Sequence, residues 1–512
     1  MTHLWTVQQA NETRLNRVAQ LIALKLAPGD LLALSGDLGA GKTTLARGLV
    51  RALLGDGDAE VPSPTFSIVQ TYETPRVFVA HADLYRLARE DELGELGLDE
   101  MLAQGALIVE WPDKAPSLAS PNRLDVELSE TGDVATRNMT LTGHGTWGPR
   151  LARLEMISTF LDHSTVADDA PVSCLQGDAS ARAYARTERN GQSVILMDSP
   201  RQPDGPPVRD GLSYSRIAHL AEDVRAFVAV ARGLKAANLS APEIYQADLE
   251  RGLLLLEDFG DGVFGQELAR GVSQENLWRQ GVDTLLALRA VPMPAVLPLP
   301  DGSSYTVPRQ DRAALQIEVE LLIDWYWPAV KGGPAPAAVR QDFLAIWNAF
   351  FDVILEQPAG WVLRDYHSPN LIFLPDRTGA RSAGLIDFQD ALEGHAAYDL
   401  VSLLQDARVD VSAAIERKLF AHYCAAAAAA EPEFDIPAFE FAYSALGAQR
   451  NTKILGIFAR LAKRDGKPGY LRHVPRLWDY LDRDLAHPEL ADLKAWFALH
   501  FPGPSRHIAV KV

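Results

Sequence analysis

Two sets of residues in this 512-residue chain have types and spacings suited to moving a phosphoryl group. The first is Gly36-Asp37-Leu38-Gly39-Ala40-Gly41-Lys42-Thr43, an ungapped G-x-x-x-x-G-K-[ST] stretch followed by Thr44. Glycines there let successive backbone N–H groups turn inward around phosphate oxygens, and the start of the following helix adds its positive dipole end. Lys42 would reach the β- and γ-phosphates of ATP, and the Thr43 hydroxyl would hold Mg2+. Such a site also needs a carboxylate for the metal and a group that orients the attacking water. Asp83, in His81-Ala-Asp83-Leu-Tyr85-Arg86-Leu87, and Glu110, after Ala106-Leu-Ile-Val109, each close a strand-like run and are the candidates.

The second set lies far downstream. Arg364-Asp365-Tyr-His-Ser-Pro-Asn370 is an R-D-x-x-x-x-N stretch between two apolar runs, and Leu385-Ile386-Asp387-Phe388 follows it. Phosphoryl transfer in a protein-kinase-like fold uses these types in this order. Asp365 would accept the proton of the substrate hydroxyl, Asn370 would bind one Mg2+, and Asp387 would bridge metal and phosphates. Upstream, Gly177-Asp178-Ala-Ser180-Ala-Arg182-Ala-Tyr184-Ala-Arg186 stands where a nucleotide-covering hairpin is expected. Leu254-Leu-Leu-Glu257-Asp258-Phe259-Gly260 reads as the strand and hinge that touch adenine through Glu257. Protein kinases carry a lysine on the strand after the hairpin, whereas Ser193-Val-Ile-Leu-Met197 puts Met197 there. Arg182 or Arg186 is expected to neutralise the phosphates in its place.

Both sets need elements to hold them. Pro28-Gly29-Asp30 is turn chemistry, and Leu31 to Ser35 is a short apolar run of buried-strand length. Lys42 to Leu54 puts Leu45, Leu49, Val50, Leu53 and Leu54 on one helical face, with Gly55 as its stop. Strand and helix patterns alternate to about residue 150, which predicts α/β architecture. Around His144 to Arg150 the pattern dissolves into turn residues, and a domain boundary is expected there. A helix over Leu151 to Leu161 and strands at Ser193–Met197 and Gly252–Glu257 follow, and beyond residue 263 the pattern is mostly helical. Gln341 to Gln357 spaces Phe343, Leu344, Trp347, Phe350, Phe351 and Ile354 as a core-facing helix. Gly205-Pro-Pro207 and residues 291–300 read as loops.

Composition narrows the function classes. A hydrophobic fraction of 47% and a charged fraction of 23% are those of a globular protein. The formal charge is −18, and both the first 150 residues and the remainder are acidic, so a basic footprint for tight, direct nucleic-acid binding is absent. Cys174 and Cys424 form no C-x-x-C pair, which excludes a cysteine-ligated zinc site. The first residues lack a basic and apolar leader pattern, and no run of about 18 apolar residues occurs, so a cytoplasmic protein without a membrane span is expected.

Gly36 to Thr44, Ser63-Pro-Thr-Phe66, His81 to Leu87 and Val109-Glu110-Trp-Pro-Asp-Lys114, in that order, resemble the TsaE family of bacterial ATPases in threonylcarbamoyladenosine biosynthesis. The resemblance covers residues 1 to about 150 and implies an N-terminal P-loop NTPase domain. It implies an ATPase that assists a protein complex adding threonylcarbamoyl to adenosine 37 of tRNA. The partners would be the proteins of that complex, which hold the tRNA themselves. The same resemblance makes Thr43 and Glu110 ligands of Mg2+ and Asp83 essential to turnover, and it places Thr13 and Arg137 at the nucleotide.

From about residue 151 to 505, the stretches from Gly177, Ile195, Leu254, Leu363, Gly384 and Gln449 onward resemble aminoglycoside-phosphotransferase-like small-molecule kinases. Within that family they are most similar to anomeric kinases of N-acetylmuramate and N-acetylglucosamine, which serve peptidoglycan recycling. The resemblance implies a two-lobed α+β kinase domain, with a lobe over about 151–262 and a mostly helical lobe over about 263–512. A small amino sugar would be the acceptor. Asp399 in Ala396-Ala-Tyr-Asp399-Leu is then an anchor of the catalytic loop rather than a catalyst. Glu320, Asp324, Trp325, Arg450 and Asn451 remain open between sugar contact and helix packing. Two other readings stay open at this point, a kinase for another hydroxyl substrate such as an aminoglycoside, and a degenerate kinase that only docks partners. The two sites are expected to sit on separate cores.

Overall fold

Seven strands near the amino terminus pair into one sheet: β1 (His3–Ala10), β2 (Leu31–Ser35), β3 (Val69–Tyr72), β4 (Val79–Asp83), β5 (Ala106–Glu110), β6 (Arg123–Glu130) and β7 (Arg137–Gly143). Their order is β1-β7-β6-β2-β5-β4-β3. β2 runs parallel to β5 and β6, and β4 runs parallel to β5. The apolar runs of β2, β4 and β5 are buried along nearly their whole length, as parallel strands covered on both faces must be. The ladder pairs Glu110 with both Leu34 and Asp83, so the carboxyl ends of three parallel strands meet at one edge. Crevices at such an edge are where open α/β sheets bind ligands.

Helices α1 (Glu12–Lys25) and α2 (Lys42–Leu54) pack beside this sheet. The Asn11 side chain caps α1 by accepting from the Arg14 N–H, and Gly55 ends α2 at φ +71°. Helix α3 (Leu98–Gln104) leads into β5. Helix α4 (Trp147–Asp162) begins inside the turn-rich stretch where a boundary is expected, and it buries Leu151, Leu154, Ile157 and Leu161.

The computed structural model describes residues 2–87, 89–167, 169–175 and 182–506, so Gly177, Asp178 and Ser180 of the expected hairpin lie outside the described residues. The chain divides into two units, Met1–Pro200 with Glu243–Asp258, and Arg201–Pro242 with Phe259–Val512. The first unit also holds a five-stranded antiparallel sheet in the order Ile244–Asp248, Leu253–Glu257, Gln192–Asp198, Ala183–Arg189, Ser173–Leu175. One face of that sheet presents Ala185, Val194, Leu196, Leu253 and Leu255, and these join the same hydrophobic core as α1, α4 and the seven-stranded sheet. The two sheets of the first unit therefore share one core, while Asp365, Asn370 and Asp387 lie in the second unit. The period-two pattern of Ser193–Met197 signals a buried face, but it is silent on which element covers it. Polar contacts seal the junction: Asp198 is only 5% exposed and pairs with Lys25 at 2.6 Å and with Arg153 at 2.6 Å.

The second unit is mostly helical. Ala337–Leu355 buries Phe343, Trp347, Phe350, Phe351 and Ile354, with the Trp347 and Phe351 rings stacked 5.6 Å apart. Two short hairpins frame its centre, Gly360–Val362 against Leu392–Gly394 and Leu371–Phe373 against Ala383–Leu385. Residues 291–300 and 205–207, expected as loops, contribute strands Val296–Pro298 and Pro207–Arg209 to two-stranded ladders. A ladder with an open edge tolerates the prolines that suggested a loop. No described helix is long and apolar enough to cross a membrane.

Candidate functional sites

At the edge of the seven-stranded sheet, the chain turns from β2 into α2 through Gly36, Gly39 and Gly41, all at positive φ. Gly36 is needed sterically as well, because a Cβ there would stand 2.3 Å from the Leu128 carbonyl oxygen. Leu38 is exposed and Ala40 buried within the same turn, which ends in Thr43 and Thr44 at the start of α2. Lys42 is 4% exposed; its Nζ donates to the carbonyls of Gly36 (2.7 Å) and Asp37 (2.9 Å) and lies 3.7 Å from the Trp111 ring centroid. Burial lowers its pKa from the ordinary lysine value, while Glu110, Asp83 and Asp37 oppose that fall. Arg137 backs the loop from β7, donating weakly to the Gly39 carbonyl at 3.4 Å.

The two acids of this edge are held differently. Glu110 Oε2 accepts from the Thr43 hydroxyl at 2.9 Å, and Glu110 Oε1 lies 2.9 Å from His81 Nε2. Asp83 accepts from the Thr65 hydroxyl at 3.0 Å and from the Tyr85 N–H at 3.0 Å. A hydroxyl and carboxylates form an all-oxygen donor set, which suits a hard cation such as Mg2+. His81 and Thr65 are partners of these acids that residue types alone did not single out. The signal for His81 was its spacing, since His81 and Asp83 sit two apart and share a face of β4. Thr13 lines a cavity of about 360 Å3 with Gly48, Arg51 and Asp56.

The five-stranded sheet carries the other nucleotide candidates of this unit. Arg182 immediately precedes strand Ala183–Arg189, which bears Arg186. Arg186 Nε donates to Asp258 at 2.7 Å, and the Ser193 hydroxyl donates to the same carboxylate at 2.5 Å. Glu257 ends its strand and accepts from the Glu243 N–H at 3.1 Å. Met197 is buried, opposite Tyr184 and Leu254 in the ladder.

In the second unit, Asp365, Asn370 and Asp387 converge between the two short hairpins. They line one small cavity with Leu363, Leu385 and Phe388. Asn370 Nδ2 donates to the Asp365 carbonyl at 2.9 Å and lies 3.5 Å from Asp387 Oδ2. Gln389 Nε2 donates to Asp387 Oδ1 at 3.1 Å. An amide and a carboxylate again offer oxygens to a hard cation. No group of three or more His, Cys, Asp and Glu among the described residues holds a metal by itself, and Mg2+ usually keeps water and phosphate oxygens in its shell. Arg364 and Asp387 adopt φ +70° and +59°, a strained choice for residues with a Cβ. Asp399 restrains the loop by accepting from the N–H groups of Leu363 (2.5 Å) and Arg364 (2.9 Å). Burial pushes the Asp399 carboxyl up to about 7, against those hydrogen bonds. The Arg364 guanidinium is bound by Glu318 and by the Ala218 carbonyl at 2.7 Å.

The five residues left open between sugar contact and packing separate in part. Asn451 donates to Gln405 (2.7 Å) and Asp484 (3.1 Å) in a buried network between helices, a packing role. Arg450 donates to the Gln405 carbonyl at 3.4 Å. Glu320 pairs with Arg209 at 2.5 Å and Asp324 pairs with Arg340.

Residues 9–139 match the family model described as threonylcarbamoyl adenosine biosynthesis protein TsaE, and residues 172–435 match that of the phosphotransferase enzyme family. An N-acetylmuramate/N-acetylglucosamine kinase of Caulobacter vibrioides is 42% identical over 65% of this chain and 92% of its own length. One from Pseudomonas putida is 33% identical over 67% of this chain and 94% of its own. A TsaE protein of Rickettsia felis is 38% identical over 23% of this chain and 68% of its own.

Proposed function

Because the chain belongs to the TsaE family in its first part and to the phosphotransferase enzyme family in its second, we propose that it carries two ATP-dependent activities. The second part phosphorylates N-acetylmuramate and N-acetylglucosamine at the anomeric hydroxyl. The first part hydrolyses ATP for the protein complex that threonylcarbamoylates tRNA. Tasks on tRNA and on recycled sugars put the chain in the cytoplasm. The observation that carries the kinase reading is the meeting of Asp365, Asn370 and Asp387 in a chain 42% identical to a sugar kinase over 92% of that relative.

Asp365 takes the proton of the anomeric hydroxyl as the sugar oxygen bonds to the γ-phosphorus and the bond to the β–γ bridging oxygen breaks, leaving ADP. Asp399 fixes the backbone that aims Asp365. Asn370 and Asp387 supply oxygens for Mg2+, which when bound offsets charge on the phosphates. In the ATPase part, Thr43 and Glu110 would hold the metal, Lys42 and the glycine loop would hold the phosphates, and Asp83 would orient the attacking water. Arg137 supports the loop from behind.

Incubation with ATP and a panel of amino sugars and aminoglycosides, read by phosphorus NMR, tests the kinase reading. A sugar 1-phosphate is expected. A phosphate on the 6-hydroxyl, or transfer to aminoglycosides alone, would overturn it.

A further inference from the structure

Helix Ile436–Arg464 shows a stripe of partly exposed residues, Lys453, Ile457 and Arg460, on a stretch whose other residues are buried. Spacings of four and seven put all three on one face. Lys453 Nζ donates to Glu318 at 2.7 Å and to the Tyr398 hydroxyl at 3.2 Å. Glu318 also binds Arg364, the neighbour of Asp365, and accepts from Gln449 at 2.9 Å. Despite its burial, these cations hold the Glu318 carboxyl down to about 2, so it is ionised and fully committed.

Among the described residues, Arg460 has no such partner. Its guanidinium lies 5.4 Å from the Tyr214 ring centroid, and its Nε is buried without a hydrogen bond. Asp465 is taken by Arg464, through bonds of 2.7 and 3.0 Å. Asp390, which Arg364 also feels, accepts from the Ala221 N–H at 2.6 Å. Burial lowers the pKa of Arg460, with Tyr214 and Asp465 opposing that fall and Arg464 adding to it, and the buried Tyr214 phenol is pushed up to about 12. Lys453 and Arg364 both pair with Glu318, whereas Arg460 on the same face as Lys453 has no ion pair among the described residues, and a desolvated guanidinium without an anion is costly. An arginine fork matches a carboxylate with two parallel hydrogen bonds.

We propose that Arg460, flanked by Lys453 and Tyr214, is the subsite for the acceptor's carboxylate, the lactyl group that N-acetylmuramate carries and N-acetylglucosamine lacks; this rests on the sugar-kinase reading. Arg460 then ranks the two acceptors by charge, over a tyrosine, Tyr214, that also feels Glu318 and Arg364, the neighbour of Asp365.

The test is steady-state kinetics of the full chain on N-acetylmuramate, its methyl ester and N-acetylglucosamine. Arg460→Met should reduce the ratio of kcat/KM for N-acetylmuramate over N-acetylglucosamine about tenfold or more, the range of a lost charge-assisted hydrogen bond. Arg460→Lys should recover part of that ratio, and Lys463→Met, which removes a charge from an exposed position of the same helix, should leave it alone. In the unaltered protein, esterifying the carboxylate should raise KM by a similar factor, which keeps the question answerable if Arg460→Met does not fold. An unchanged ratio in Arg460→Met, or equal KM for acid and ester in the unaltered protein, overturns the subsite while leaving the kinase reading standing. Phosphorylation of neither sugar overturns both.

Discussion

Lys42 and Met197 stand at comparable posts in the two ATP-handling parts of this chain, and they differ in charge. Lys42 sits in a glycine loop whose backbone already faces the phosphates, with its ammonium desolvated against Trp111. Met197 stands where protein kinases place a lysine, and its side chain is buried in the sheet ladder. The first part thus concentrates cation and cradle in one contiguous motif. The second part places oxygens on Asn370 and Asp387, and the arginine of its first strands, Arg186, is held by Asp258. The lesson concerns how chemistry is distributed along a chain: a compact motif makes one residue indispensable, whereas a dispersed site depends on loop geometry that distant residues impose.

The sharpest way to break that comparison is at the base. Asp365→Asn should lose about two or more orders of magnitude in sugar-kinase kcat, the range of a lost general base, while ATP binds nearly as before. Undiminished kcat would remove Asp365 from the chemistry. Next is Lys42→Ala, which should lower ATP hydrolysis by the first part on the order of a hundredfold or more, because Lys42 is the one cation within Gly36–Thr44. Sugar phosphorylation should persist in that variant. Loss of both activities in folded protein would mean the two sites are chemically one system.

Legibility followed the same division. Gly36 to Thr43, Asp83 and Glu110 were readable because strand ends and a contiguous loop carry them. Asp365, Asn370 and Asp387 were readable as an ordered set, since two short hairpins hold them at fixed offsets. His81 and Thr65 were not, because their roles depend on which acid they face across a fold. Thr13 was placed by resemblance alone and lies along a cavity lined by α1 and α2 residues. The shared core was invisible for a similar reason: an apolar face names no partner.

That core yields a smaller effect that reaches both activities. Asp198 is held between Lys25 of α1 and Arg153 of α4. Asp198→Ala leaves two partly buried cations unpaired, and about 2–3 kcal/mol of stability should go with the carboxylate. Thermal melts should shift down in one transition for the first unit, with ATPase and kinase activities lost together on heating. A melt unchanged from the parent protein would show that the junction contributes nothing.

The smallest effect is a slope against pH. His367 lies two residues beyond Asp365, and burial lowers its pKa to about 4, with Asp406 and Asp365 opposing that shift. Unfolded, the same histidine titrates near its ordinary value of about 6.5. Between those values the unfolded chain binds the extra proton, so stability from this group is full above about pH 6.5 and is lost as pH falls toward 4. Asp399 works in the opposite sense. With its pKa raised by burial to about 7, it holds a proton in the folded chain that it releases when unfolded, so its contribution is lost as pH rises from about 4 to 7. The two slopes partly cancel in the parent protein, which is why a variant is needed to separate them. His367→Gln should lose stability less steeply than the parent as pH falls from 6.5 to 4, by at most about 1.4 kcal/mol per pH unit. Melting temperatures of the two proteins across that window decide the matter: parallel curves would mean that His367 is not desolvated in the folded loop, and a kinase rate that steps with pH between 6 and 8 in the parent but not in His367→Gln would make the same point.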